Sequence, residues 1–342
     1  MFLRMRPAMV TVVFAGSVAV LCRVSRHALA PQARSADPPT WVPVCEREEC
    51  HEVRQAALPM CDTSGVCGES PSVATPRTVF SALVGKPQGA WSRQLERNKA
   101  SGRSFRASST PPLVLLGDSI FESLLGTSLG VPVERAAGVP VALEAYARGG
   151  YDPLPLAISG DQTQHLLWRM PLELPRWLLG AENATFLVLI GTNNLGAGFL
   201  PGPTAAGVLA VARWLLNNSK GVVAVLPLLP RGDGPMRLPR LCPPRCGPDG
   251  KPFTSFMPAV RKVNAALANA DLPDLNVLRD CGAPFLNTTR NKNKGGEVNR
   301  DLMPDSLHPN AKGHTLIADC VLSSPPFGDQ YRHRRRRRHH HR

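Results

Sequence analysis

Four short polar clusters, far apart in the chain, carry residue types suited to hydrolytic chemistry. Ser119 follows Gly117-Asp118 directly after an apolar run at 112–116. Near the C-terminus, Asp305-Ser306-Leu307-His308 sets a carboxylate three residues before an imidazole, so one turn can present both side chains together. A serine hydrolase needs a base to take the hydroxyl proton, a carboxylate to orient that base, and donors for the oxyanion. Ser159-Gly160-Asp161 and Gly191-Thr192-Asn193-Asn194 supply candidate donors. Glycine lets backbone N–H groups come close to a ligand, and an asparagine amide can donate to a developing oxyanion. Taken singly, each cluster has a plainer reading. Gly-Asp-Ser makes a good turn, Asp305 can cap the helix that follows, and the glycine loops can be ordinary strand-to-helix turns.

The surrounding elements place these clusters together. Apolar runs at 113–116, 154–158, 186–190, 222–226 and 275–278 read as strands, and patterns at 162–170, 204–216 and 257–270 read as helices. Strands alternating with helices predict an α/β fold, a parallel sheet with helices on both faces. Such sheets bind ligands at the carboxyl ends of their strands, near the point where strand order reverses. Ser119 lies between one such strand and a helical stretch at 121–125, so its backbone N–H can face an anion there. The Gly160 and Gly191 loops follow strand-like runs at the same edge.

The rest of the chain reads as extensions. Its 342 residues and 43% hydrophobic content suit one large α/β domain and argue against global disorder. The formal charge of +14 overstates the basicity of the body, because residues 331–342 hold seven arginines and no acid. Residues 1–30 read as a signal peptide or signal anchor. Arg4 and Arg6 precede a charge-free stretch at 7–22, short for a membrane span of about 20 residues, and Ala28-Leu29-Ala30 offers a cleavage site. The expected location is the secretory pathway, with the protein either secreted or held at the Golgi or another membrane by an uncleaved anchor.

Cys22 falls in that segment. The others, Cys45, Cys50, Cys61, Cys67, Cys242, Cys246, Cys281 and Cys320, are even in number, which in an exported chain argues for disulfides. A zinc site in the first four fails on spacing, with no Cys-x-x-Cys pair and no following His pair. N-glycosylation acceptors at Asn183, Asn217 and Asn287 agree with export. The expected organisation is a Pro- and Cys-rich N-terminal region at 31–110 with weak helical character at 77–98, a regular domain at 111–323, and a disordered Arg-rich tail at 324–342. Cys242 and Cys246 are expected to staple the Pro-, Gly- and Arg-rich loop 231–252.

The order Gly117-Asp118-Ser119, Gly160, Gly191-Thr192-Asn193 and Asp305-x-x-His308 resembles the four blocks of the GDSL, or SGNH, hydrolase superfamily, which contribute Ser, Gly, Asn and His. The nearest likeness is to the catalytic subunits of intracellular platelet-activating-factor acetylhydrolase. Gly160-Asp161-Gln162-Thr163-Gln164-His165-Leu166-Leu167-Trp168-Arg169 resembles their second block over its whole length, and Leu228-Leu229-Pro230-Arg231-Gly232 extends the match. The resemblance covers roughly residues 110–322. It implies a three-layer α/β/α sandwich with a mostly parallel, flavodoxin-like five-stranded sheet. It also implies a serine esterase acting on short-acyl or acetyl esters through an acyl-enzyme, without metal or cofactor. On this resemblance Ser119 is the nucleophile, His308 the general base and then acid, and Asp305 its orienter. The Ser119 N–H, the Gly160 N–H and the Asn193 side chain make the oxyanion hole. The chain departs from those subunits in its export signals, in its longer spacing between Ser119 and Gly160, and in the cysteine-containing loop after Gly232. Substrate specificity is therefore not carried over.

Two other functions compete with hydrolysis: acyl transfer by the same triad, and a non-catalytic binding protein on the same fold. The expected partner is a small ester or an acetylated carbohydrate or lipid. The basic tail has the charge to contact anionic polysaccharide or membrane, against the reading of a solvated tail, and no dedicated nucleic-acid partner is expected. Several motifs are decoys. Gly126-Thr127-Ser128-Leu129-Gly130 fits Gly-x-Ser-x-Gly, yet a helix-like stretch precedes it and an irregular Val-Pro segment follows. His314 lacks an aspartate at the right spacing, His165 reads as a packing or surface residue, and Arg231-Gly232-Asp233 reads as a loop after a strand rather than an adhesion tripeptide.

Overall fold

The computed structural model describes residues 61–77, 89–106, 109–287 and 298–327. The expected signal segment, Cys45, Cys50 and the arginines from 332 onward lie outside the described residues. Five strands form one sheet: β1 (Pro112–Gly117), β2 (Asp152–Ala157), β3 (Thr185–Leu189), β4 (Val222–Val225) and β5 (Leu275–Val277). Their order is β2-β1-β3-β4-β5, and every pairing is parallel. This is the flavodoxin-like order, with the reversal between β1 and β3. β1 and β3 are buried along their whole length, which is why they read as unbroken apolar runs rather than alternating ones.

Seven helices matter to the site: α1 (Ala90–Ser104), α2 (Ser119–Glu122), α3 (Thr163–Glu173), α4 (Thr192–Gly196), α5 (Pro201–Asn218), α6 (Met257–Ala268) and α7 (Ala311–Leu322). The α3, α5 and α6 crossovers all step the same way across the sheet, so right-handed connections put them on one face, where α1 joins α3. α7 packs with the short helix Leu143–Arg148 on the other face. The strands and α3, α5 and α6 fall where the apolar periodicity puts them, whereas α1 extends to Ser104, past the weak helical character expected at 77–98.

Register sets the site. Gly117 pairs with Ala157 on one side and Leu189 on the other, so β1, β2 and β3 end level. Their three loops emerge side by side at the reversal point. A Cβ on Gly117 would lie 2.4 Å from the Leu189 carbonyl oxygen, so only glycine allows this close approach.

Segment 61–77 and α1, both within the expected Pro- and Cys-rich N-terminal region, pack on the α/β layers. Cys61 N–H donates to Ala197 O (3.0 Å), Thr75 N–H to Gln164 O (3.1 Å) and Thr163 Oγ1 to Pro71 O (2.8 Å). Trp91 and Leu95 of α1 are buried in a cluster with Ile158. These contacts are long-range and leave no local periodicity to read. At the other end, residues 324–327, which fall in the expected tail, include buried positions. Phe327 is fully buried, its ring edge-on to Tyr151 at 5.6 Å, because an aromatic here completes the core despite the linker-like prolines before it.

Disulfides join Cys61 to Cys67, Cys242 to Cys246 and Cys281 to Cys320. The last ties the loop after β5 to α7. Among the described residues, no helix is long and apolar enough to cross a membrane.

Candidate active site

β1 delivers Ser119 on a tight turn into α2. Asp118 caps that helix, its Oδ1 accepting from Ile120 N–H at 3.0 Å. Ser119 is buried, and its Oγ lies 2.9 Å from His308 Nε2. His308 Nδ1 in turn lies 2.5 Å from Asp305 Oδ2. With the imidazole neutral, Nδ1–H donates to Asp305 and Nε2 accepts from the serine hydroxyl.

The Asp-x-x-His spacing works because the intervening turn is held by its own backbone. Asp305 Oδ1 accepts from His308 N–H (2.7 Å) and Leu307 N–H (3.0 Å), while Ser306 sits at φ 65 and its carbonyl accepts from Gly232 N–H (2.8 Å). Asn310, not Asp305, caps α7, accepting from Gly313 N–H. The plainer reading of Asp305 as a helix cap is therefore excluded.

Electrostatics favour a neutral base beside a charged orienter. Burial lowers the pKa of His308, the Asp305 bond opposes that, and the positive field of Arg135 lowers it further. Burial would raise Asp305, but the hydrogen bond and charge of His308, with the two backbone donors, hold its carboxyl well below the usual range.

The candidate oxyanion donors gather beside Ser119. Gly160 adopts φ +80, and neither its N–H nor that of Ser119 has a protein acceptor among the described residues. Asn193 Nδ2 donates to Asp161 O (2.9 Å) and, at 3.3 Å, to Asp118 Oδ2. Both amide hydrogens are thus engaged. The longer bond, to Asp118, is the one a developing oxyanion can take over. Burial pushes Asp118 up to about 7.

Beneath these loops lies a buried ionic network that sequence reasoning did not assign. Asp161 accepts from Trp91 Nε1 (2.7 Å), Arg169 Nε (2.7 Å) and Arg77 (3.2 Å). Arg169 also donates to the carbonyls of Leu156 and Gly117 and pairs with Glu173, whose pKa burial pushes up to about 7. Glu122 Oε2 accepts from Ser159 N–H at 2.6 Å. The one signal in the sequence is the i, i+4 spacing of Arg169 and Glu173, which straddles the end of the helix expected at 162–170 and ordinarily marks a solvated pair.

The decoys resolve into structural roles. Ser128 sits in a two-residue ladder with Val131, preceded by a 3₁₀ turn at Ser123–Leu125 rather than a sheet strand. His165 is buried, its Nδ1 accepting from Gln162 N–H and its Nε2 3.2 Å from Glu69. Arg231 is buried, forked onto Asp233 and stacked over Phe256, so the adhesion tripeptide is not on offer to a partner. Asn183, Asn217 and Asn287 are exposed. Among the described residues, no group of three or more His, Cys, Asp or Glu side chains is placed to hold a metal ion. An apolar cavity of about 230 Å³ beside α4, lined by Leu195, Phe199, Leu238 and Phe256, includes neither Ser119 nor His308.

Solved structures similar to this chain include a candidate acylhydrolase from Bacteroides fragilis (15% identity, TM-score 0.46, covering 67% of this chain and 94% of that one). Others are a psychrotrophic esterase from Pseudoalteromonas (18%, TM-score 0.37, covering 62% and 95%) and a lipase/acylhydrolase from Enterococcus faecalis (17%, TM-score 0.37, covering 62% and 93%). No curated protein matches the chain. The model of one family matches residues 115–316, more than half of the chain and a span that takes in Ser119, Gly160, Asn193, Asp305 and His308: the chain belongs to the GDSL-like lipase/acylhydrolase family.

Proposed function

We propose that this protein is a serine esterase that hydrolyses short-acyl, in particular acetyl, esters through an acyl-enzyme. The observation that carries the reading is the hydrogen-bonded line Ser119–His308–Asp305, set beside two N–H groups that have no protein acceptor among the described residues. Ser119 Oγ attacks the ester carbonyl as His308 Nε2 takes its proton. The tetrahedral oxyanion is met by the N–H groups of Ser119 and Gly160 and by the Asn193 amide. His308 returns the proton to the leaving alcohol, then activates water for deacylation. Asp305 holds the imidazole in the tautomer that keeps Nε2 free to accept.

The short-acyl preference is supported by the site itself, since the apolar cavity beside α4, the kind of space a long acyl chain needs, includes neither Ser119 nor His308, and the proposed substrate is an acetylated carbohydrate or lipid. The setting is the secretory pathway. Three disulfides among the described residues and exposed asparagines at all three acceptor sequences support it. A panel of p-nitrophenyl esters of rising acyl length tests the activity. The highest kcat/KM is expected on acetate, with Ser119→Ala inactive throughout. A folded wild type inactive on every member would defeat the reading, and a maximum on long chains would defeat the acyl preference.

A further inference from the structure

One peptide plane governs where the Gly160 N–H points, and a buried cation grips its far side. In a trans peptide the C=O and N–H groups point in opposite directions. The plane that carries the Gly160 N–H also carries the Ser159 carbonyl, and Arg77 Nη1 donates to that carbonyl at 2.8 Å. The same nitrogen reaches Asp161 Oδ1 at 3.2 Å. The guanidinium also packs against the glycine itself, since a Cβ on Gly160 would lie 2.7 Å from Arg77 Nη2. Glu122 holds the preceding peptide from the other side through Ser159 N–H.

We propose that Arg77 is a positioning residue of the esterase site: by anchoring the Ser159 carbonyl it turns the Gly160 N–H toward the ester carbonyl oxygen. Through the carboxylate of Asp161, which Trp91 and Arg169 also hold, it fixes the backbone carbonyl that orients the Asn193 amide. The guanidinium is planar and rigid, so its direction is fixed when Nη1 donates to the carbonyl and the carboxylate together, whereas an ammonium on a flexible stem is held less firmly. Hydrogen bonding to the carbonyl also polarises the peptide and strengthens its N–H as a donor. Arg77 and Trp91 both precede residue 115, where the family match begins. Part of the support of this oxyanion loop therefore comes from outside the family's common domain.

The proposal rests on the esterase reading, and the test separates the two. Hydrolysis of p-nitrophenyl acetate is measured per active site, with sites counted by end-point labelling with a fluorophosphonate. For Arg77→Ala, kcat per labelled site is expected to fall about 10- to 100-fold, the scale of a misplaced donor. KM should change less than about threefold on the same grounds, and added guanidinium should restore part of the loss. Should Arg77→Ala fail to fold, Arg77→Lys and Trp91→Phe are read the same way, with graded losses in kcat. A kcat per labelled site within about twofold of wild type in the folded variants overturns the positioning role and leaves the esterase intact. A wild type that neither labels nor hydrolyses overturns both.

Discussion

Ser119 Oγ and His308 Nε2 lie 2.9 Å apart although 189 positions separate them in the chain. The serine rides on the end of β1, and the histidine on the turn before α7, so the pair exists only in the folded sheet. Its geometry makes a prediction about pH. His308 must be neutral to accept the proton, and burial lowers its pKa below the ordinary value of 6.5. The acid limb of the kcat/KM profile should therefore have its midpoint below 6.5, with activity lost only as pH falls through that lower value. A midpoint above 6.5 would show that the Asp305 bond outweighs burial.

Asp305→Asn removes the charge that holds the imidazole while keeping the shape of the side chain. A loss in kcat of roughly 10²–10⁴-fold is expected, because an amide nitrogen facing Nδ1 favours the wrong tautomer. Steady-state kinetics on p-nitrophenyl acetate measure it.

Asn193→Ala should lower kcat by about 10²–10³-fold with little change in KM, as expected for a donor used mainly in the transition state. Asp118→Asn tests how that amide is held. Asp118 accepts twice, from Ile120 N–H and Asn193 Nδ2, and an asparagine offers a single acceptor oxygen. A smaller loss, on the order of tenfold, is expected. Parallel kinetics on both variants give the comparison.

His314 should make the fold acid-sensitive. It is buried on α7, its Nε2 without a hydrogen-bond partner among the described residues, and burial, with help from His308 and Arg135, pushes its pKa down to about 3. The unfolded chain takes up this proton near 6.5, so unfolding binds a proton throughout the window from 6.5 to about 3. Stability contributed by this group is full above 6.5 and falls with pH, by up to about 1.4 kcal/mol per unit. Urea unfolding of His314→Gln should show a shallower pH dependence than wild type over that window. Equal slopes would remove His314 as the cause.

The Cys281–Cys320 bridge closes a loop of sequence separation 39 and anchors α7, the helix that follows the Asp305–His308 turn, near its C-terminal end. Breaking it with Cys320→Ser should cost about 2–4 kcal/mol and lower Tm by roughly 5–15 °C. Differential scanning calorimetry reads this directly. Breaking Cys242–Cys246, which closes a separation of only 4, should cost less.

What could be read from the chain follows from which forces are local. β1 and β3 are apolar runs of fixed length, and α3, α5 and α6 carry helical periodicity, so the sheet and its order of loops were legible. Ser119, Gly160, Asn193 and His308 were legible because each sits in a short motif beside such an element. Trp91 and Arg77 were not, nor was the role of Asp161 as their common acceptor, since these contacts span 70 to 84 positions and leave no periodicity. Phe327 was lost for a similar reason, as two prolines beside an arginine-rich tail disguised a core residue.

Whether Ser119 is the nucleophile can be read with a fluorophosphonate probe. The purified protein is labelled, digested and sequenced by mass spectrometry, beside Ser119→Ala and Ser128→Ala. The modified residue should be Ser119, with labelling abolished in Ser119→Ala and retained in Ser128→Ala. A label on another residue, or undiminished labelling of folded Ser119→Ala, would contradict the account.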